Sequence, residues 1–492
     1  MAAPEIERGR DSSLSDTSPP KQPDPGPARS VRPLLMRLHF YAGILVAPFI
    51  LVAAISGGLY AVAPSLEQIV YRDYLHVDPT GPAVPIADQI RAAQQERPDL
   101  TVSAIRPAPE PGDTTRVLFT DPSLGESERF AVFVDPATAR PVGESIVYGS
   151  SSALPVRTWI SQLHRHLHLG EPGRIYSELA ASWMWVIAAG GVCLWWDRNR
   201  KARRRTGSSA RLLSVDRSTS GRARTVSWHG VVGIWIAVAL VFLSATGLTW
   251  SKYAGENVSA LRTSLSWTTP QIDSELGPSP DATGGHGGHD GHGGHGGGSP
   301  SVADTPDLVA TNVSRIDSVL ATAQENGVDG AVEASIPAKS GTAFTVAQTR
   351  QPWVFSTDSI AIDGSSGEVT DVLRFAQWPL AAKLTSWGIQ LHMGLQFGLL
   401  NQLALAALAV ALVSVIVRGY VMWWRRRPTR GSDWAMGRPP RRGALRSVHP
   451  ALAIGVLAVA AAVGYFVPLL GLSLLAFLLV DVLVALRTRT RA

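Results

Sequence analysis

The sequence predicts a mainly α membrane protein. Its core is a duplicated pair of transmembrane helices, four in all, with two small extracytoplasmic α+β domains and a C-terminal transmembrane hairpin. Three observations carry this. Long uncharged apolar blocks recur, as between Arg37 and Glu67, and about 20 apolar residues suffice to cross a bilayer. Basic residues crowd beside those blocks, a topology signal rather than a nucleic-acid one. The chain also repeats itself. Trp159-Ile160-Ser161-Gln162-Leu163-His164 returns 228 residues later as Trp387-Gly388-Ile389-Gln390-Leu391-His392, and each copy runs to a Trp-Trp pair, Trp195-Trp196 and Trp423-Trp424. Matching spacings over such a length mark a tandem duplication.

Composition sets the outer limits. Nearly half of the 492 residues are hydrophobic and the net charge is +6. The single cysteine, Cys193, excludes a disulfide framework or a thiolate metal site within one chain. A bound metal must therefore be held by histidine or carboxylate.

Taken in order, residues 1–34 are polar and Pro-rich, a disordered cytoplasmic tail without the apolar region of a signal peptide. Residues 38–63 form the first span, which Pro48 is placed to kink. Residues 64–158 alternate polar and apolar. They hold a helix from Pro85 to Glu96, then strands at Val102–Ile105, Arg116–Phe119 and Phe130–Val134, a first α+β domain. Residues 159–196 carry a His-rich motif and the second span. A basic loop, 197–227, follows, with ten Arg or Lys between Arg198 and Arg224. The third span is 228–250. Residues 251–385 are the second α+β domain, with a helix near Val313–Gln324 and strands near Phe344–Ala347 and Ser359–Ile362, interrupted by the Gly/His-rich tract 284–298. The fourth span, 386–424, is long enough to project beyond the membrane as one helix. A basic loop, 425–448, precedes the hairpin 450–486, broken near Pro468. Positive-inside reasoning puts the termini and basic loops in the cytoplasm, and the α+β domains, His164 and His392 outside.

Four histidines are the sharpest chemical signal. His39 and His229 head equivalent spans, each followed by glycine at +4 (Gly43, Gly233) and +18 (Gly57, Gly247). His164 and His392 are the other equivalent pair. A parallel repeat sets its halves about an axis along the membrane normal, so equivalent histidines can face one another. Two facing imidazoles are the axial ligand set of a six-coordinate b-type haem, two haems in this chain. The small residues at Gly43 and Gly233 leave room for a flat macrocycle. His168, four residues after His164, shares its helical face and stands as an alternative ligand or as a solvated surface residue. The blander alternative is that each histidine is an interfacial residue. The Trp-Trp pairs and Trp250 suit interfacial anchors. His286, His289, His292 and His295 recur every third residue in the Gly/His tract. They would bind Cu²⁺, Ni²⁺ or Zn²⁺ in preference to iron, or merely punctuate a flexible spacer.

Several stretches carry a family resemblance. They are Leu38-His39-Phe40-Tyr41-Ala42-Gly43, Ser56-Gly57-Gly58-Leu59-Tyr60, Leu163-His164-Arg165, Leu169-Gly170, Gly173-Arg174, Trp228-His229-Gly230, Thr246-Gly247 and Leu391-His392-Met393-Gly394, with Val134-Asp135-Pro136 and Ile362-Asp363-Gly364 resembling the end of a PepSY unit. From about Leu35 to Leu486 the chain resembles the PepSY-associated transmembrane family, also called iron-regulated or iron-uptake membrane proteins. The resemblance implies a bacterial inner-membrane, haem-containing reductase acting on ferric siderophores outside the membrane; the Gly/His tract departs from the family pattern.

Two functions follow as expectations. In the first, electrons enter near His39 and His229, pass toward His164 and His392, and reduce an extracytoplasmic metal or metal chelate. The cytoplasmic loops are too short for a nucleotide-binding domain, so the donor is a separate protein or a quinol. If residues 386–424 were one straight helix, the two ligand levels would be on the order of 35 Å apart, a long span for electron transfer. In the second, the protein is a non-enzymatic module that binds metal or regulates an envelope protease.

Overall fold

The computed structural model describes residues 32–206, 212–277, 305–425 and 450–489. In the first half, α1 (Arg32–Leu45) leads through α2 (Ala47–Val70) and the single-turn α3 (Arg72–Leu75) to α4 (Ile86–Glu96). Four strands follow: β1 (Thr101–Arg106), β2 (Thr115–Thr120), β3 (Glu128–Val134) and β4 (Pro141–Tyr148). Then come α5 (Pro155–His166) and α6 (Glu171–Thr206). The second half has α7 (Gly221–Thr249), α8 (Tyr253–Ser264), α9 (Thr305–Glu325), β5 (Val332–Ser335), β6 (Phe344–Gln348), β7 (Ser359–Ile362), β8 (Val369–Leu373), α10 (Leu380–His392) and α11 (Leu399–Trp424). Two shorter apolar helices, α12 (Pro450–Phe466) and α13 (Pro468–Arg489), complete the described chain. By length and composition α2, α6, α7 and α11 can each cross a membrane. They pack together through Ile50, Ala54, Ala180, Trp183, Ile236, Leu240, Leu412 and Ile416. Residues 1–31, the Gly/His tract 284–298 and nearly all of the loop 425–448 lie outside the described residues.

The first apolar block is two helices, not one, and Pro48 is the cause. Proline has no N–H to give the carbonyl four residues earlier, here Ile44. That carbonyl instead accepts from the Tyr420 hydroxyl on α11 at 2.8 Å. Replacing Tyr420 by phenylalanine should leave it unsatisfied in an apolar setting and lower stability by about 1 kcal/mol. Unfolding in a mixed-micelle SDS titration measures this; an unchanged midpoint would show that Ile44 needs no partner.

The stretch expected as one long helix, 386–424, is also broken. Helix α10 ends at His392, the chain turns through Gly394 and Gly398 with φ of +76° and +54°, and α11 begins at Leu399. The equivalent break separates α5 from α6, where Leu167, His168 and Gly170 take φ of +54°, +54° and +62°. A Cβ on Gly173 would collide with the His166 carbonyl, so this tight return needs glycine. The breaks let α5 and α10 lie against the membrane helices instead of standing on top of α6 and α11. Helix α5 packs on α2, and α10 on α7.

The strands of both halves join in one eight-stranded antiparallel sheet, ordered β4-β3-β2-β1-β5-β6-β7-β8. Two separate small domains were the expectation; instead the two four-stranded units meet edge to edge. At the seam Ala104 pairs with Ser335 and Ile105 with Ala334. Helices α4 and α9 cover one face, on a core of Ile90, Ile105, Phe119, Ile316, Phe344 and Ile360. The first half of the other face rests on Leu75 of α3 and Leu154 just before α5, through Leu118, Ala131 and Phe133. Burial on both faces accounts for runs such as Phe130-Ala131-Val132-Phe133-Val134, which do not alternate. Asp135 and Asp363, 228 residues apart, each accept backbone and hydroxyl hydrogen bonds that shape the turn after their strand.

The seam carries a partly buried ion triad. Glu333 on β5 accepts from Arg106 on β1 at 2.6 Å and from both guanidinium nitrogens of Arg129 on β3 at 2.8 and 3.1 Å. Burial alone would raise the Glu333 carboxyl, but Arg106 and Arg129 outweigh it and hold it at about 2.

Candidate functional site

The four repeat-equivalent histidines form two pairs, one at each end of the helical core. At the end away from the sheet, His39 on α1 faces His229 on α7, with ring centres 6.3 Å apart and planes at 81°. At the sheet end, His164 on α5 faces His392 on α10, with centres 6.4 Å apart and planes at 50°. Two imidazoles ligating one metal end-on, each at about 2.0–2.1 Å from metal to nitrogen, place their ring centres about 6 Å apart. Both separations meet that requirement.

The second ring nitrogen is treated alike in all four. The Nδ1 of His39 donates to the Ile187 carbonyl on α6 at 3.0 Å, and the Nδ1 of His229 to the Val415 carbonyl on α11 at 3.0 Å. These two carbonyls are themselves 228 residues apart. At the other end the acceptors are hydroxyls. The Ser56 hydroxyl donates to the Val52 carbonyl, so its oxygen accepts from His164 Nδ1 at 3.0 Å. The Thr246 hydroxyl donates to the Phe242 carbonyl and accepts from His392 Nδ1 at 2.6 Å. An N–H committed in this way fixes the tautomer and leaves the Nε2 lone pair free for a metal, the usual arrangement around ligating imidazole.

Small residues make the space. A Cβ on Gly57 would sit 3.0 Å from the His164 ring, and one on Gly191 3.1 Å from the His39 ring. Their repeat mates, Gly247 and Gly419, face His392 and His229 at 3.9 and 3.7 Å. A Cβ on Gly43 or Gly233 would meet no atom within 4 Å.

A cavity of about 650 Å³ opens over the second pair. Its deep wall is apolar, with Met184, Leu240, Leu243, Leu405, Leu408 and Leu412, and its mouth is basic and polar under the sheet. Trp250 stands edge-on to His392 with centres 5.5 Å apart. Among the described residues no three His, Cys, Asp or Glu side chains converge as a metal cage. Two imidazoles are few for a bare ion but sufficient for an iron that brings four equatorial nitrogens of its own. The residues present fit a haem at each pair.

His168 is not brought to the second pair. It was expected on the face of His164, but α5 ends at His166 and the two left-handed residues that follow break the helical register. Its ring stacks on Trp159 at 4.9 Å and its Nε2 donates to the Trp159 carbonyl at 3.1 Å. His286, His289, His292 and His295 lie outside the described residues. Of the tryptophans read as interfacial anchors, Trp196 and Trp424 are exposed, but Trp195 is buried and donates to the Leu212 carbonyl. The hydroxyls of Ser56 and Thr246 and the glycines 191 and 419 had no role assigned from sequence. Their equivalence under the repeat was the signal for them.

A family model described as the PepSY-associated TM region matches residues 36–426. No curated protein matches the chain.

Proposed function

Because the chain belongs to the PepSY-associated TM region family, we propose that it is a di-haem b electron-transfer protein of the bacterial cytoplasmic membrane. Its task is to reduce an extracytoplasmic metal chelate, of which a ferric siderophore is the leading candidate. The observation that carries the reading is the pairing of His39 with His229 and of His164 with His392, each Nδ1 held by an acceptor and each Nε2 left to a metal. Bound haem iron supplies one-electron redox chemistry. The chain's own residues fix imidazole tautomer and spacing, exclude water with the apolar wall, and open the second pair toward the sheet side.

Orientation follows from charge. The basic residues after α6 and α11 mark the cytoplasmic side, so the His39/His229 pair lies at the donor side and the cavity faces outward. The donor is a separate protein or a quinol. Reduction of Fe³⁺ weakens chelation by hard oxygen ligands, and iron is released. Thr246 stands seventeen residues beyond His229 on one helix, so the two levels are about 26 Å apart along the axis. That is less than a continuous fourth helix would have imposed, because α10 folds back.

The deciding measurement is a reduced-minus-oxidised spectrum with a pyridine haemochrome assay on purified protein. Two haems b per chain are expected; none would leave the non-enzymatic module, binding metal or regulating a protease. Replacing Thr246 by valine keeps the shape but removes the acceptor for His392. Haem affinity at that site should fall about 10–100-fold, as read by haem titration, and an unchanged affinity would deny Thr246 its orienting role.

A further inference from the structure

The mouth of the cavity over His164 and His392 is lined by Arg165, Arg174, Lys252, Arg262 and Arg350 against one carboxylate, Glu178. Glu178 is already engaged by the backbone amides of Tyr253 and Ala254, whose helix it caps. Four of the five cations also have partners. Arg165 donates to the Tyr148 hydroxyl, Lys252 pairs with Glu171 at 2.6 Å, Arg174 stands 3.8 Å from the same carboxylate, and Arg262 donates to the Trp267 carbonyl.

Arg350 has no hydrogen bond or ion pair among the described residues. Its side chain is exposed and lines the cavity. A guanidinium without a protein partner at the cavity wall is available to a bound anion. Its backbone is held on both sides. The Thr349 amide donates to the Ala331 carbonyl, and the Trp353 amide to the Gln396 carbonyl on the turn before α11. By strand register, with Phe344 opposite Ile362 and Thr115 opposite Val134, the equivalent position in the first half is Asp121, so the positive charge belongs to one half only and is not a product of the repeat.

We propose that Arg350 binds a carboxylate in this cavity, above the His164/His392 pair. A guanidinium fork matches a carboxylate with two parallel hydrogen bonds. Two sources have this chemistry: a carboxylate-bearing metal chelate, or the propionate of a haem at the pair. The second source rests on the haem reading, whereas the first requires only the cavity.

The test uses full-length protein in nanodiscs, with gallium(III) citrate as a redox-silent probe, and compares wild type with Arg350→Ala and Arg350→Lys. If the carboxylate comes from the chelate, Arg350→Ala weakens gallium citrate binding about 10–100-fold by calorimetry, and haem content and midpoint potentials stay put. If it comes from haem, gallium citrate binding is unchanged and the potential or retention of one haem shifts. In either case Arg350→Lys, which keeps the charge but not the fork, falls between. Wild-type values for both readouts in Arg350→Ala, with unchanged sheet hydrogen exchange as the folding control, overturn the proposal. So does wild-type protein that binds no gallium citrate while its haem is indifferent to Arg350. Arg350-dependent gallium citrate binding in protein devoid of haem would instead remove the reductase reading and keep this one.

Discussion

Purified His392→Ala protein is expected to carry one haem b per chain in place of two. His392 ends α10 and supplies one side of the pair at the cavity; its loss leaves His164 with no opposite ligand. The His39/His229 pair sits on α1 and α7 at the other end and shares no ligand with it, so its haem should persist. His229→Ala should give the complementary result, with the other haem retained and a different midpoint potential. His168→Ala should keep both, because that ring stacks on Trp159 and makes no approach to His392. Haemochrome quantitation and redox titration of the three variants measure this. If His392→Ala retains two haems with unaltered potentials, the pairing is not a ligand set, and the assignment of the outer site fails.

The second large effect belongs to the sheet. Glu333→Ala should open the seam between the halves, since it leaves Arg106 and Arg129 partly buried beside each other without their shared counter-ion. Removing one partner of a buried charge network costs about 3–5 kcal/mol. Besides the triad, the seam is held by two residue pairs between β1 and β5, by the Ile336 amide on the Ser103 carbonyl, and by α9, which shares the core with α4 and whose Asp317 accepts from the Ile86 and Ala87 amides. Hydrogen exchange of peptides covering β1 and β5 should accelerate on the order of 100-fold, with β2 and β6 less affected. Replacing all three charges by leucine or methionine should restore much of the protection. Acid should act in the same direction. The Glu333 carboxyl is held at about 2, below its usual 4.5, so its contribution is complete above pH 4.5 and disappears as pH falls from there through 2. Seam protection in wild type should follow that window, and Glu333→Ala should be flat across it. Equal acid sensitivity in both would place the effect elsewhere.

Much of this site was legible because duplication acts as an internal control. His39, His229, His164 and His392 each survive in both copies while most neighbours differ, and the glycines at +18 survive with them. The chain breaks were harder to see. Met393 to Gly398 lies in a long apolar block that reads as uninterrupted helix, and only the glycines hinted at the turn. His168 could share the face of His164 only while the helix continued; α5 stops at His166, and His168 is the exposed residue that the solvated reading described. The seam could not be read at all. Periodicity reports which residues make a strand, whereas the pairing of Ile105 with Ala334 joins segments more than two hundred residues apart. β4 escaped notice because Pro141 and Gly143 weaken its pattern. Gly143 is there for the Tyr74 ring, which a Cβ would strike.

Each imidazole pair draws one member from each half, and the sheet seam likewise takes one strand from each. A single half holds no complete site and leaves an unpaired strand edge, so the ancestral unit could have worked only as a closed twofold homodimer. Fusion freed the two copies from identity. From then on one half could acquire features the other lacks, such as a long histidine-bearing insertion and the Arg350 guanidinium over a shared chamber, without imposing them twice.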